Sequence, residues 1–119
     1  QEKMLGDDNP ETAITYNNIG LTYTYLGDYQ KALDFFKKTL KIYEKNLDKN
    51  HPNAALCYNN IGFVYRNMAD YSMALEFYKK ALEIQEYILG NNHPDVANSY
   101  NNIGLVYNYL GNYLLLIKE

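Results

Sequence analysis

Tryptophan is absent from this 119-residue chain, cysteine and arginine occur once each, and proline occurs only three times. The lone Cys57 excludes an internal disulfide and makes a reducing compartment the simpler expectation. A single arginine, Arg66, sits among 11 basic residues set against 14 acidic ones, for a formal charge of −3. That balance supplies neither the basic stripe nucleic acid needs nor a patch for an anionic membrane. Apolar runs fall far short of the roughly 20 residues of a membrane span, and no charged-then-apolar leader opens the sequence. A soluble, cytoplasmic protein is the expectation. No P-loop, HExxH, GxSxG or GxGxxG occurs, so neither an enzyme nor a cofactor is indicated. His51 and His93 recur without a cysteine or carboxylate cluster at ligand spacing, which favours helix capping over metal binding.

What the chain does have is a beat. The string Tyr-Asn-Asn-Ile-Gly starts at 16, at 58 and at 100, an interval of 42 residues. Residues 16–57 and 58–99 agree at about half of their positions, the signature of stacked supersecondary units. Asn-His-Pro closes the units at 50–52 and 92–94, and "QEKMLGDDNP" at 1–10 aligns with "QEYILGNNHP" at 85–94. The chain therefore divides into the end of a preceding repeat (1–9), two repeats (10–51 and 52–93) and an incomplete one (94–119). Its ragged start and short finish read as a piece of a longer array; the alternative is a natural terminal helix that packs Leu114–Ile117 inward.

Within a unit the periodicity is helical. Tyr16, Ile19, Gly20 and Tyr23 fall at i, i+3, i+4 and i+7, and Tyr29, Ala32, Leu33, Phe36 and Leu40 form a second stripe. Breaks at Gly27-Asp28, Ala69-Asp70 and Gly111-Asn112 separate the stripes, so each unit is a helical hairpin. Pro10, Pro52 and Pro94 suit a first helical position, which puts Asn9, His51 and His93 at the N-caps. Glu11 and Asp95 then lie in first turns, where the helix dipole favours anions, and Gly90 is a helix stop. Gly20, Gly62 and Gly104 fall inside helices, where each costs about 1 kcal/mol relative to alanine. The expected offset is close helix approach, with Ala32 and Ala74 opposite the glycines and Phe36 and Tyr78 filling the space beyond.

Glycine after isoleucine, an aromatic three residues on, alanine twelve beyond the glycine and an aromatic four later resemble the tetratricopeptide repeat. Tyr58, Ile61, Gly62, Tyr65, Ala74, Tyr78 and Ala81 fit best; Thr39 and Leu116 depart from the small-residue positions. The 42-residue form with Asn-His-Pro junctions is similar to the kinesin light chain variety. The resemblance implies an all-α, right-handed superhelical solenoid of antiparallel helix pairs, whose first helices line a concave groove that holds an extended peptide.

On that reading the groove carries two asparagine ladders: Asn17, Asn59 and Asn101, and Asn18, Asn60 and Asn102. An asparagine side chain offers both a donor and an acceptor to peptide backbone of any sequence. Leu21, Phe63 and Leu105 add shallow apolar contacts, with Tyr25, Arg66, Asn67 and Tyr109 beside them. Two alternatives stay open: asparagines that bond to one another or to neighbouring carbonyls, and apolar residues that pack between adjacent first helices. Arg66 is the one cation of this face, while Lys37-Lys38 and Lys79-Lys80 fall on the second helices. The expected partner is therefore a neutral or mildly basic extended segment of a protein. The runner-up function is a structural scaffold that associates end to end with like units.

Overall fold

The computed structural model describes residues 9–45 and 50–118, with side chains as far as Asn112. The expected end of a preceding repeat lies, but for Asn9, outside these residues, as do the side chains of Leu114–Ile117. Five helices follow one another: α1 (Pro10–Leu26), α2 (Tyr29–Lys45), α3 (Pro52–Asn67), α4 (Tyr71–Leu89) and α5 (Pro94–Lys118). There is no strand among the described residues.

The helix starts follow their caps. Asn9 accepts the Thr12 N–H at 2.9 Å, and His51 Nδ1 accepts that of Asn53 at 3.0 Å. His93 Nδ1 takes the Asp95 N–H at 3.1 Å, so both histidines are occupied as caps. α1 ends at Gly27, whose φ of 84° lets the Asp28 N–H turn back to Tyr23 O at 2.9 Å. Ala69 holds the same place after α3 at φ 63°, and Asp70 N–H reaches Tyr65 O at 2.9 Å. Two-residue and three-residue links at these turns make α1–α2 and α3–α4 antiparallel pairs.

Each second helix is clasped between two first helices. Ala32, Leu33 and Phe36 of α2 meet Cys57, Ile61 and Val64 of α3 in one buried cluster, which joins the two repeats. Ala74 and Tyr78 of α4 meet Ile103 and Val106 of α5 in the same way. The stack is elongated, 61 × 34 × 18 Å. Its radius of gyration, 15.5 Å, exceeds the roughly 13.5 Å of a compact chain of this length, as a solenoid requires.

Two expectations need correction. First, the rings do not fill space beyond Gly20 and Gly62 but lie directly on them: a methyl built on Gly20 would lie 2.5 Å from Phe36 Cε1, and one on Gly62 2.8 Å from the Tyr78 ring, while one on Gly104 would meet nothing within 4 Å. Second, the third hairpin is absent, because α5 runs unbroken through Gly111-Asn112. The sequence supplies a physical reason. Ala32 and Ala74, fully buried, stand five residues after their turns, and Leu116 holds that position in the third unit. A leucine there has no room in a hairpin of equal closeness.

Candidate functional site

α1, α3 and α5 form one wall of the stack, and the expected groove residues lie along it. The asparagines do not make two independent ladders. Asn60 Nδ2 donates to Asn17 Oδ1 at 3.2 Å, so the second asparagine of one repeat bonds to the first of the repeat before. Asn17 is buried by this arrangement and Asn60 is half-buried. The same register would bring Asn102 to Asn59. That bond is not made, and Asn59 Oδ1 is buried with no donor. Asn18 and Asn101 are exposed, and Asn102 is half-buried.

The apolar members divide. Leu21 packs against the buried cluster between α2 and α3, so it serves the repeat junction. Phe63 gathers two neighbours: its ring centroid is 6.5 Å from that of Tyr25, and the Arg66 guanidinium lies 5.0 Å over it. This cation–π contact holds the wall's one guanidinium against an aromatic face. Tyr25 remains 77% exposed, the open edge of that cluster. Tyr109 stacks on Tyr71 of α4 with centroids 5.3 Å apart, which ties α5 to the turn of the second repeat. Leu105 and Asn67 are exposed and stand apart from both groups.

A hollow of about 160 Å³ opens where α1 and α3 converge. Ile14, Asn17 and Asn18 line it from α1, Asn53 and Leu56 from α3, and Thr39 and Tyr43 from α2. Ile14 and Leu56, both in the lining, are about half exposed. The volume is below that of small-molecule pockets, and suits one side chain. Asn53, Thr39 and Tyr43 escaped the sequence reading. Asn53 lies three residues before Leu56 on the same helical stripe, a signal present in the sequence; Thr39 and Tyr43 reach the hollow from the second helix, which no periodicity on the first helices reports.

Burial pushes the Cys57 thiol far up, and its Sγ–H donates to Phe36 O at 3.4 Å within the core. It is a packing residue. Among the described residues no three His, Cys, Asp or Glu side chains gather to hold a metal. No described helix is long and apolar enough to cross a membrane.

Comparison with known proteins agrees with this architecture. The family model of the tetratricopeptide repeat matches residues 1–45, 11–86 and 53–114. The crystal structure of BtubC (BKLC) from P. vanneervenii superposes with a TM-score of 0.79 at 26% identity, over 85% of this chain. This chain spans 40% of that protein's length. A sequence search among curated proteins finds no match. With matches of that family across its helical pairs, and the fold to go with them, the chain belongs to the tetratricopeptide repeat family.

Proposed function

We propose that the chain is a protein-interaction module that holds an extended segment of a partner along the wall made by α1, α3 and α5. Tetratricopeptide repeats in general are protein–protein interaction modules, and non-enzymatic scaffolds. The finer reading rests on one observation, Asn59 Oδ1, a buried carbonyl oxygen without a donor. The oxygen is closed to solvent as the chain stands, so an incoming backbone N–H reaches it only when the Asn59 side chain turns outward, and the bond then made offsets the about 1–3 kcal/mol that the unmade one costs. An extended peptide presents such groups at regular spacing along its length. The hollow between Ile14 and Leu56 would then take one aliphatic side chain of the same segment.

Charge narrows the partner to neutral or mildly basic. Arg66 is already engaged over Phe63, so the wall offers little to a cluster of carboxylates.

An unbiased peptide selection on the full chain, followed by calorimetric titration, tests the reading. The expected ligands carry an aliphatic anchor and no acidic cluster. Asn59→Leu and Asn60→Ala should each weaken them about tenfold, the equivalent of one lost hydrogen bond. Arg66→Ala should change affinity little. Recovery of mainly acidic peptides, or ligands indifferent to Asn59 and Asn60, would overturn the proposal.

A further inference from the structure

The hollow where α1 and α3 converge contains a hydrogen-bond donor that the fold leaves unused. Asn17 is only 7% exposed, and its amide oxygen accepts from Asn60 Nδ2 at 3.2 Å. Asn17 lines the hollow and Asn60 does not. The end of the Asn17 amide left for the hollow is therefore Nδ2, which donates to no group among the described residues. A nearly buried donor in that position is satisfied by an entering acceptor.

The other polar groups of the lining divide by whether they are engaged. The Thr39 hydroxyl lies 3.3 Å from Ala13 O and 3.1 Å from Phe35 O, so its proton is committed within the fold. Tyr43 is buried and stacks on His51, with ring centroids 5.2 Å apart. Asn18 is exposed and Asn53 half-buried, and neither side chain makes a hydrogen bond among the described residues. Ile14 and Leu56 give apolar surface, and no described residue of the lining is charged. One repeat on, Asp95 holds the place of Asn53 and Asn98 that of Leu56, so the set is not repeated.

These groups discriminate among side chains. A carboxylate could accept from Asn17, but it would enter a hollow whose lining holds no cation, and a charge so placed lacks a partner. A lysine would bring donors to a donor. A purely aliphatic side chain would leave Nδ2 unpaired. A neutral amide satisfies both ends: its oxygen accepts from Asn17, and its NH₂ donates to an asparagine oxygen at the rim.

We propose that this hollow is a recognition pocket for a glutamine side chain of the partner. The proposal rests on the groove reading above and narrows its anchor to an aliphatic stem that ends in a neutral amide. The methylene stem lies against Ile14 and Leu56, and the amide reaches Asn17.

The probes are capped single amino acids, the N-acetyl, N-methylamide forms of glutamine, leucine, glutamate and lysine, titrated into the isotope-labelled full chain. Each is too short to lie along the wall, so the result does not depend on an extended segment. Capped glutamine should give saturable shifts at the Asn17 side-chain amide and at the Ile14 and Leu56 methyls. It should bind about tenfold more tightly than the leucine and glutamate forms, the equivalent of one hydrogen bond. Asn17→Asp keeps an acceptor toward Asn60 and removes the donor, so it should erase the preference for glutamine. Where Asn17→Asp does not fold, the wild-type panel decides alone. Three results would each overturn the proposal: capped leucine bound as tightly as capped glutamine, capped lysine bound tightest, which would put the Asn17 oxygen in the hollow, or a preference unchanged in Asn17→Asp. Extended peptides that bind with no glutamine at the anchor would remove this proposal and keep the groove. A glutamine preference in a chain that selects no extended ligand would do the reverse.

Discussion

A methyl at Gly20 would press 2.5 Å from an atom of the fully buried Phe36 ring, whereas one at Gly104 would touch nothing. The same letter in the same repeat position therefore does opposite work. Alanine at either site gains up to about 1 kcal/mol of helix propensity, but overpacking a core costs about 1–3 kcal/mol. Gly20→Ala and Gly62→Ala should lower stability by about 1–2 kcal/mol, and Gly104→Ala should raise it by up to about 1 kcal/mol, read from urea midpoints at constant slope. Ala69 presents the converse case. It occupies at φ 63° the left-handed position that Gly27 holds at 84°, where a Cβ costs roughly 1–2 kcal/mol. Part of the gain from glycine is lost to its freer unfolded chain. Ala69→Gly should therefore raise stability by about 0.5–1 kcal/mol, seen as a higher thermal midpoint, and Gly27→Ala should lower it.

At the scale of elements, the rung between α1 and α3 is the clearest link of wall to stability. Asn60→Ala leaves Asn17 Oδ1 buried without its donor, a cost of about 1–3 kcal/mol. Adding Asn17→Leu should recover part of that loss, and a double-mutant cycle on chemical unfolding measures the coupling. The helices themselves were legible: Pro10, Pro52 and Pro94 with their preceding caps mark three starts, and Gly27 and Gly90 mark two ends. Two features were not. The crossed pairing of Asn60 with Asn17 depends on how far adjacent first helices slide past each other, which a strict 42-residue register does not encode. The continuity of α5 set a local turn signal, Gly111-Asn112, against a packing condition five residues later, where Leu116 replaces the buried alanine. The helix runs on through the turn residues to Lys118.

Across the whole molecule, a protonation limit on stability sits at the junction of the repeats. Cys57 is fully buried between α2 and α3, and burial pushes its thiol far above the ordinary value of about 8.5. Tyr78, buried over Gly62, is raised by burial, with Arg66 pulling the other way. Tyr58 is raised by burial and then by Glu44. A raised folded-state value means that the native chain keeps a proton that the unfolded chain releases. Stability from these groups is thus complete below about pH 8.5 and falls as pH rises. Cys57 acts first, at about 1.4 kcal/mol per pH unit, so about 2 kcal/mol is lost by pH 10, where the tyrosines join. Unfolding free energies across pH 7–11 should show this two-stage decline. Cys57→Ala should lower stability at neutral pH yet flatten the slope between pH 8.5 and 10, and Tyr78→Phe should blunt the slope above it. A solenoid couples only neighbouring elements, so the loss should be local before it is global. Amide exchange at pH 9 should accelerate first in α2 and α3 of wild type and not of Cys57→Ala; equal acceleration in both would remove the thiol from this role.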